Sequence, residues 1–140
     1  MDETELRALL ALHLVPGIGP KTSEALLRRF GGAAAVLSAS FSALREVSGV
    51  GTALAERILE ARPDGPAVVA EWNACERHHV HVLPRDDPDY PSPLRNIPAQ
   101  PGLIYVKGAL EPVDQLGIAI VGARRCTPYG ARAAERLAAC

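Results

Sequence analysis

VPGIGPKTSEALL, at residues 15–27, returns 32 residues later as VSGVGTALAERIL at 47–59. Both stretches have the form Val-x-Gly-(Ile/Val)-Gly followed by a helical pattern, and a repeat at fixed offset restricts the folds open to 140 residues. Two glycines flanking one apolar residue permit a tight turn at positive φ while the apolar side chain plugs a core. Ahead of the first copy, Leu6, Leu9, Leu10 and Leu14 follow the three–four spacing of a buried helix face. Ala25, Leu26 and Phe30, then Val36 and Leu37, Leu44 and Val47, and Leu54, Ile58 and Leu59 continue it in short pieces. Residues 4–62 therefore read as helices separated by Gly-centred turns.

The repeat resembles the helix-hairpin-helix motif. That resemblance implies that the hairpin and the N–H groups opening the next helix hold a DNA phosphate, in keeping with the anion affinity of helix starts. In the first copy Lys21 stands two residues past Gly19, within reach of such a phosphate; the second copy has Thr52 and Ala53 there and reads as structural. Residues 1–62 carry seven acidic and seven basic side chains. Plain helix packing therefore stands beside DNA contact as a reading of the first hairpin.

Composition changes at ARPDGP (61–66), which divides the chain into two expected domains, 1–62 and 63–140. Residues 66–79 read as a helix through Val68, Val69, Trp72 and Cys75, and VHVL (80–83) as a short strand. The segment 84–102, with five prolines after Pro84, reads as an ordered but irregular loop. LIYVK (103–107) and GIAIV (117–121) look like strands, the second apolar on both faces and so central in a parallel sheet. Residues 128–139 close the chain as a helix with Ala131, Ala134, Leu137 and Ala138 on one side.

Chemistry concentrates where that last strand would meet that last helix, in AIVGARRCTPYGARAAERL (119–137). A strand ending at Gly122 places the next loop at the carboxyl edge of a sheet, where open α/β folds bind ligands. The helix starting near Tyr129 and Gly130 offers free N–H groups and a positive dipole end. Arg124 and Arg125 add guanidinium forks suited to phosphate oxygens. The formal net charge is only −1, yet residues 117–140 hold four arginines against the single Glu135, so an electropositive site is local and belongs here. The bland reading is that Gly122 turns the chain and the arginines are solvated. Tyr129 is the one aromatic residue placed to touch a ligand, with core packing as its other use.

Several classes lose support. Neither GxxxxGK[ST] nor GxGxxG occurs. Cys75, Cys126 and Cys140 are too few and too scattered for a disulfide framework or a CxxC metal site, and unpaired thiols suit a reducing cytoplasm. HHVH (78–81) could place His79 and His81 on one strand face, but no third ligand is visible, and such histidines commonly cap a helix C-terminus. Asp86, Asp87 and Asp89 lack the glycine and spacing of a calcium loop and read as turn formers. No metal, cofactor or catalytic residue is expected. The acidic start, MDETELRALL, is unlike a signal peptide, and no apolar run has membrane-spanning length, so the expected location is the cytoplasm.

The segments DDPDYPSPLRNIPAQPGLIYVKGAL and IAIVGARRCTPYGARAAERLA together resemble the DprA (Smf) family, DNA-processing proteins of bacterial natural transformation. The family pattern D-x-x-YP-x-x-L-x-x-I is met by Asp87, Tyr90, Pro91, Leu94 and Ile97. P-x-x-LY-x-G is met by Pro101, Ile104 and Tyr105 with one aliphatic exchange, Gly108 standing one position later than the pattern's glycine. V-G-(S/A)-R-x-x-T-x-YG is met by Val121, Gly122, Ala123, Arg124, Thr127, Tyr129 and Gly130. The resemblance implies a non-enzymatic protein that binds single-stranded DNA, helps load the RecA recombinase onto it and works as a homodimer. It implies a helical N-terminal domain followed by an extended Rossmann-like domain, an α plus α/β fold, with the loop arginine in the DNA pocket. Ala123 stands where serine is frequent, which removes a hydroxyl donor. Because a parallel sheet needs the last helix to return to another strand, the expectation is an N-terminal fragment whose sheet domain is truncated. The rival readings are a Rossmann-like nucleotide-processing enzyme using the same loop for a mononucleotide phosphate, and a protein-interaction module built on the hairpin repeats.

Overall fold

The computed structural model describes residues 1–139. Helix α1 (Glu3–Leu14) starts where the Asp2 carboxylate accepts the Glu5 N–H at 2.8 Å, with Glu3 and Glu5 in its positive first turn. Ala8 to Leu12 are all buried along it. The chain then turns through buried Val15 and through Gly17 at φ +99° to extended Gly19, the N-cap of α2 (Pro20–Phe30). Pro20 suits the first helical position, where its missing N–H is not needed. After the short connector α3 (Ala33–Leu37), the same passage recurs. Helix α4 (Phe41–Arg45) leads through buried Val47 and through Gly49 at φ +88° to extended Gly51, the N-cap of α5 (Thr52–Glu60).

The two turns match bond for bond. Ile18 donates to the Val15 carbonyl at 3.2 Å and Ser23 to that of Gly19 at 2.9 Å; Val50 donates to Val47 at 3.0 Å and Ala55 to Gly51 at 2.9 Å. They are also reciprocal in space. A Cβ on Gly17 would lie 3.6 Å from the Leu54 side chain on α5, and one on Gly49 would lie 3.5 Å from the Thr22 side chain on α2. Positions 22 and 54 correspond under the repeat offset, so each turn packs on the other copy's helix about an approximate twofold axis. Glu5 locks the connector: its carboxylate accepts the N–H groups of Ala33 and of Ala34, the latter at 3.2 Å. Gly32 leaves room for it, since a Cβ there would come within 2.9 Å of Glu5 Oε1.

Beyond the repeats, α6 (Pro66–Arg77) packs on α1 and on β1 (Val80–Pro84). The short helix α7 (Ser92–Arg95) lies inside the proline-rich segment, and β2 (Leu103–Lys107) pairs antiparallel with β1, Val82 opposite Tyr105. Val68 and Leu103 share one core with Leu10, Leu26, Leu44 and Ile58. That core makes Met1–Leu110 one compact unit. Between the strands, Tyr90 is almost fully buried and its hydroxyl donates to the Pro101 carbonyl at 3.0 Å, while the Asp87 side chain accepts the Asp89 N–H at 2.9 Å. The D-x-x-YP pattern thus folds a loop around one buried tyrosine.

The second unit, Glu111–Cys140, opens with a 3-10 helix (Pro112–Leu116) capped reciprocally by Glu111 and Asp114, and contains α8 (Pro128–Ala138). Here the structure departs from the sequence reading. Residues 117–121 form no strand: Ile118 and Val121 are 91% and 88% exposed, and the sheet described is a two-stranded antiparallel one. A strand exists only by pairing its N–H and C=O groups, and no described residue pairs with this run. His79 falls outside the expected helix over 66–79, which ends at Arg77; it sits at φ +52° in the turn after α6, whose C-cap is His78. Cys75 is buried, Cys126 is exposed, and Cys140 lies outside the described residues.

Candidate nucleic-acid interface

Seven of the eight residues singled out in the sequence lie on one segment of the second unit. Helix α8 begins at Pro128 because Thr127 caps it: the hydroxyl accepts the Gly130 N–H at 3.2 Å, and the Thr127 carbonyl takes the Ala131 N–H at 3.0 Å. Pro128 has no N–H and Thr127 occupies that of Gly130, so Tyr129 supplies the first-turn amide left for a ligand. Its ring is 76% exposed. Immediately before the cap, Arg124 and Arg125 occupy an exposed bend, and neither forms a hydrogen bond or ion pair among the described residues. Gly122 and Ala123 are exposed, and nothing lies within 4 Å of where a Cβ on Gly122 would stand. Two cations and one helix start are thus held a few residues apart on one stretch of chain.

Lys21 belongs to the first unit. It is the exposed second residue of α2, whose cap Gly19 contributes no side-chain bond, so the first-turn amides are not occupied from that side. The hairpin is supported from the other repeat, because Arg57 Nη1 on α5 donates to the Pro16 carbonyl at 3.0 Å. Sequence reading missed this arginine. The signal was available in the repeat alignment, where Arg57 corresponds to Ala25, a mismatch inside an otherwise similar pair.

A second group was not anticipated. His13 on α1, Glu71 and Cys75 on α6, and Tyr105 on β2 meet where these elements join. The His13 and Tyr105 rings lie 6.1 Å apart at 59°. Desolvation holds the His13 imidazole below its ordinary pKa, only partly opposed by the Glu71 carboxylate. Burial raises the Tyr105 phenol well above its usual range, reinforced by the neighbouring Glu71 carboxylate. Burial likewise raises the Cys75 thiol, and Glu71 adds to it. Both shifts favour the protonated thiol and phenol. Among the described residues no cluster of three or more His, Cys, Asp or Glu side chains could hold a metal, and no helix is long and apolar enough to cross a membrane.

Residues 7–62 match the family described as a SAM-like helix-hairpin-helix tandem, and residues 81–140 match the DNA recombination-mediator protein A family. Residues 81–140 thus resemble that recombination-mediator family, and the chain as a whole resembles the DprA/Smf proteins. It is 32% identical over 139 residues to Protein Smf of Synechocystis sp., covering 94% of this chain and 34% of that protein. Shorter stretches resemble the UvrABC system protein C. The Neisseria meningitidis serogroup A protein is 46% identical over 54 residues (39% of this chain, 9% of that protein), and the Dechloromonas aromatica protein 50% over 50 residues (36% and 8%). The chain therefore spans about a third of its Smf relative and less than a tenth of these two. No solved structure matches.

Proposed function

We propose that this chain serves a DNA-processing protein that binds single-stranded DNA through its phosphates and helps load the RecA recombinase onto incoming DNA in natural transformation. In this reading residues 1–62 are a helix-hairpin-helix domain and residues 63–140 the first part of an extended Rossmann-like DNA-binding domain. The protein acts without catalysis, as a homodimer, in the cytoplasm. The observation that carries the reading is the pair of exposed, unpaired arginines, Arg124 and Arg125, directly ahead of the Thr127-capped start of α8. The recombination-mediator match over residues 81–140 supports it, as does the likeness to Smf. Within 122–130 there is no carboxylate and no histidine, which favours phosphate binding over general acid–base chemistry. Gly122, Ala123, Arg124, Arg125, Thr127, Tyr129 and Gly130 form the phosphate-binding segment, with Lys21 as a second contact.

Fluorescence anisotropy with a labelled single-stranded oligonucleotide at several salt concentrations tests this. Arg124→Ala should weaken binding by a similar factor for every base sequence, because phosphate contacts position a strand without reading it. It should also flatten the slope of log affinity against log salt by roughly 0.7, the increment of one single-strand phosphate contact. Arg125→Ala should do less, since the family pattern asks only for the first arginine. A lowered melting temperature with an unchanged salt slope would make Arg124 a loop-holding residue and sink the phosphate reading.

A further inference from the structure

The two repeats match in turn geometry, helix N-caps and the backbone bonds of the turn, yet one side-chain bond to a turn carbonyl has no counterpart. Arg57 reaches across from α5 and donates through Nη1 to the Pro16 carbonyl at 3.0 Å, and the same nitrogen lies 3.5 Å from where a Cβ on Gly17 would stand. Under the repeat offset the donor position becomes Ala25 and the acceptor position Ser48, and alanine has no donor to offer. Gly49 meets only Thr22 Oγ1, at 3.5 Å from its Cβ position. The first turn is therefore tied to the opposite repeat through one of its own carbonyls; the second repeat's charged tie, Arg29 Nη2 on α2 to Glu46 Oε2 at 3.4 Å, is an exposed side-chain pair ahead of Val47, and among the described residues no side chain donates to that turn's carbonyls.

We infer that Arg57 is the positioning residue of the first hairpin, restraining its turn before any ligand arrives, a restraint on a turn carbonyl that the second hairpin lacks. This rests on the reading of Lys21 as a phosphate contact only for its functional consequence. A charge-assisted bond to a turn carbonyl restrains the peptide between Pro16 and Gly17, and so fixes the orientation of the Gly17–Gly19 amides that open α2. The hairpin carrying Lys21 is the one so held. A preorganised turn meets a phosphate without spending binding energy on its own ordering. The asymmetry assigns the ligand-ready role to the first repeat and a packing role to the second.

Amide hydrogen exchange by NMR on the whole chain tests the positioning claim. The readout is the ratio of exchange at Ile18, bonded to Val15, to that at Val50, bonded to Val47 in the untied turn. In the unmodified chain Ile18 should exchange more slowly than Val50. Arg57→Ala should raise the Ile18 rate by roughly two- to tenfold, the factor expected for losing one net hydrogen bond, and leave Val50 where it was. Arg57→Lys, which keeps the charge but not the fork, should fall between. Equal acceleration at both amides, or no change in the ratio, overturns the proposal. Oligonucleotide binding separates it from the functional reading. A weaker affinity for Arg57→Ala at unchanged salt slope supports positioning, whereas a slope reduced by roughly 0.7 makes Arg57 itself a phosphate contact and overturns it. An exchange ratio that changes while Lys21→Ala leaves affinity untouched upholds Arg57 as the tie and removes the first hairpin from DNA binding.

Discussion

A few single side chains in this molecule act as ties between segments distant in sequence. Glu5 reaches the start of α3, Tyr90 reaches Pro101, and Arg7 lies 4.6 Å over the Trp72 ring. His13 belongs to this set and adds a pH dependence. Its pKa is lowered in the folded chain by partial desolvation, so the folded state holds fewer protons at this site than the unfolded one near its ordinary midpoint. The stability it contributes is complete above about pH 6.5, the ordinary midpoint, and is lost as the pH falls through the depressed folded value. Melting curves followed by Trp72 fluorescence at about pH 7.5 and about pH 5.5 should show a loss on acidification that is smaller in His13→Gln. Equal losses in both proteins would remove His13 from the linkage. None of these ties follows from spacing. A carboxylate that caps a helix 28 residues away looks, in the sequence, like any other charge in a first turn.

Among the elements, the repeated turns depend on backbone conformations that only glycine adopts readily. Gly17 and Gly49 sit at φ +99° and +88°, while a Cβ at either would meet neighbours only at ordinary contact distances of 3.5 Å or more. Gly17→Ala and Gly49→Ala should therefore each cost about 1–2 kcal/mol through backbone strain alone. Urea denaturation checks this, and a neutral result at either site would mean the turn relaxes to another form. These turns were legible because their requirement is local: two glycines, a core-facing Val or Ile, then a helical pattern. The antiparallel pairing of 80–84 with 103–107 was half legible, since each strand showed in its own residues while the pairing did not. Residues 117–121 misled for the opposite reason. Their apolar run describes how a strand would be buried, but a strand is made by its neighbour. Arg124 stood out in the sequence because cation and helix start lie within a few residues, and Thr127 entered only through the family pattern; the Thr127 cap and the tie from Arg57 to Pro16, which spans 41 residues, did not show.

At the level of the whole molecule, the hairpin repeats, α6 and the strand pair share one core, and an interior charge there should be felt throughout Met1–Leu110. Val50 is 5% exposed in that core. Val50→Asp buries a carboxylate among apolar neighbours with no partner, a penalty of several kcal/mol against a total stability on the order of 5–15 kcal/mol. Circular dichroism should show the helical signal of the first unit lost together with the Trp72 fluorescence transition, although Trp72 lies outside the repeats. Retention of the Trp72 transition would divide that core in two. The reciprocal packing of Gly17 on α5 and Gly49 on α2 has a consequence for descent as well as for stability. A face that meets its own copy about a twofold axis is self-complementary, so a chain carrying just one such unit would bury that face by pairing with an identical molecule. Joining two copies through a short link such as α3 turns that homodimer into a monomer. It also frees each half to change alone, and the arginine at 57 opposite the alanine at 25 is what such freedom leaves behind.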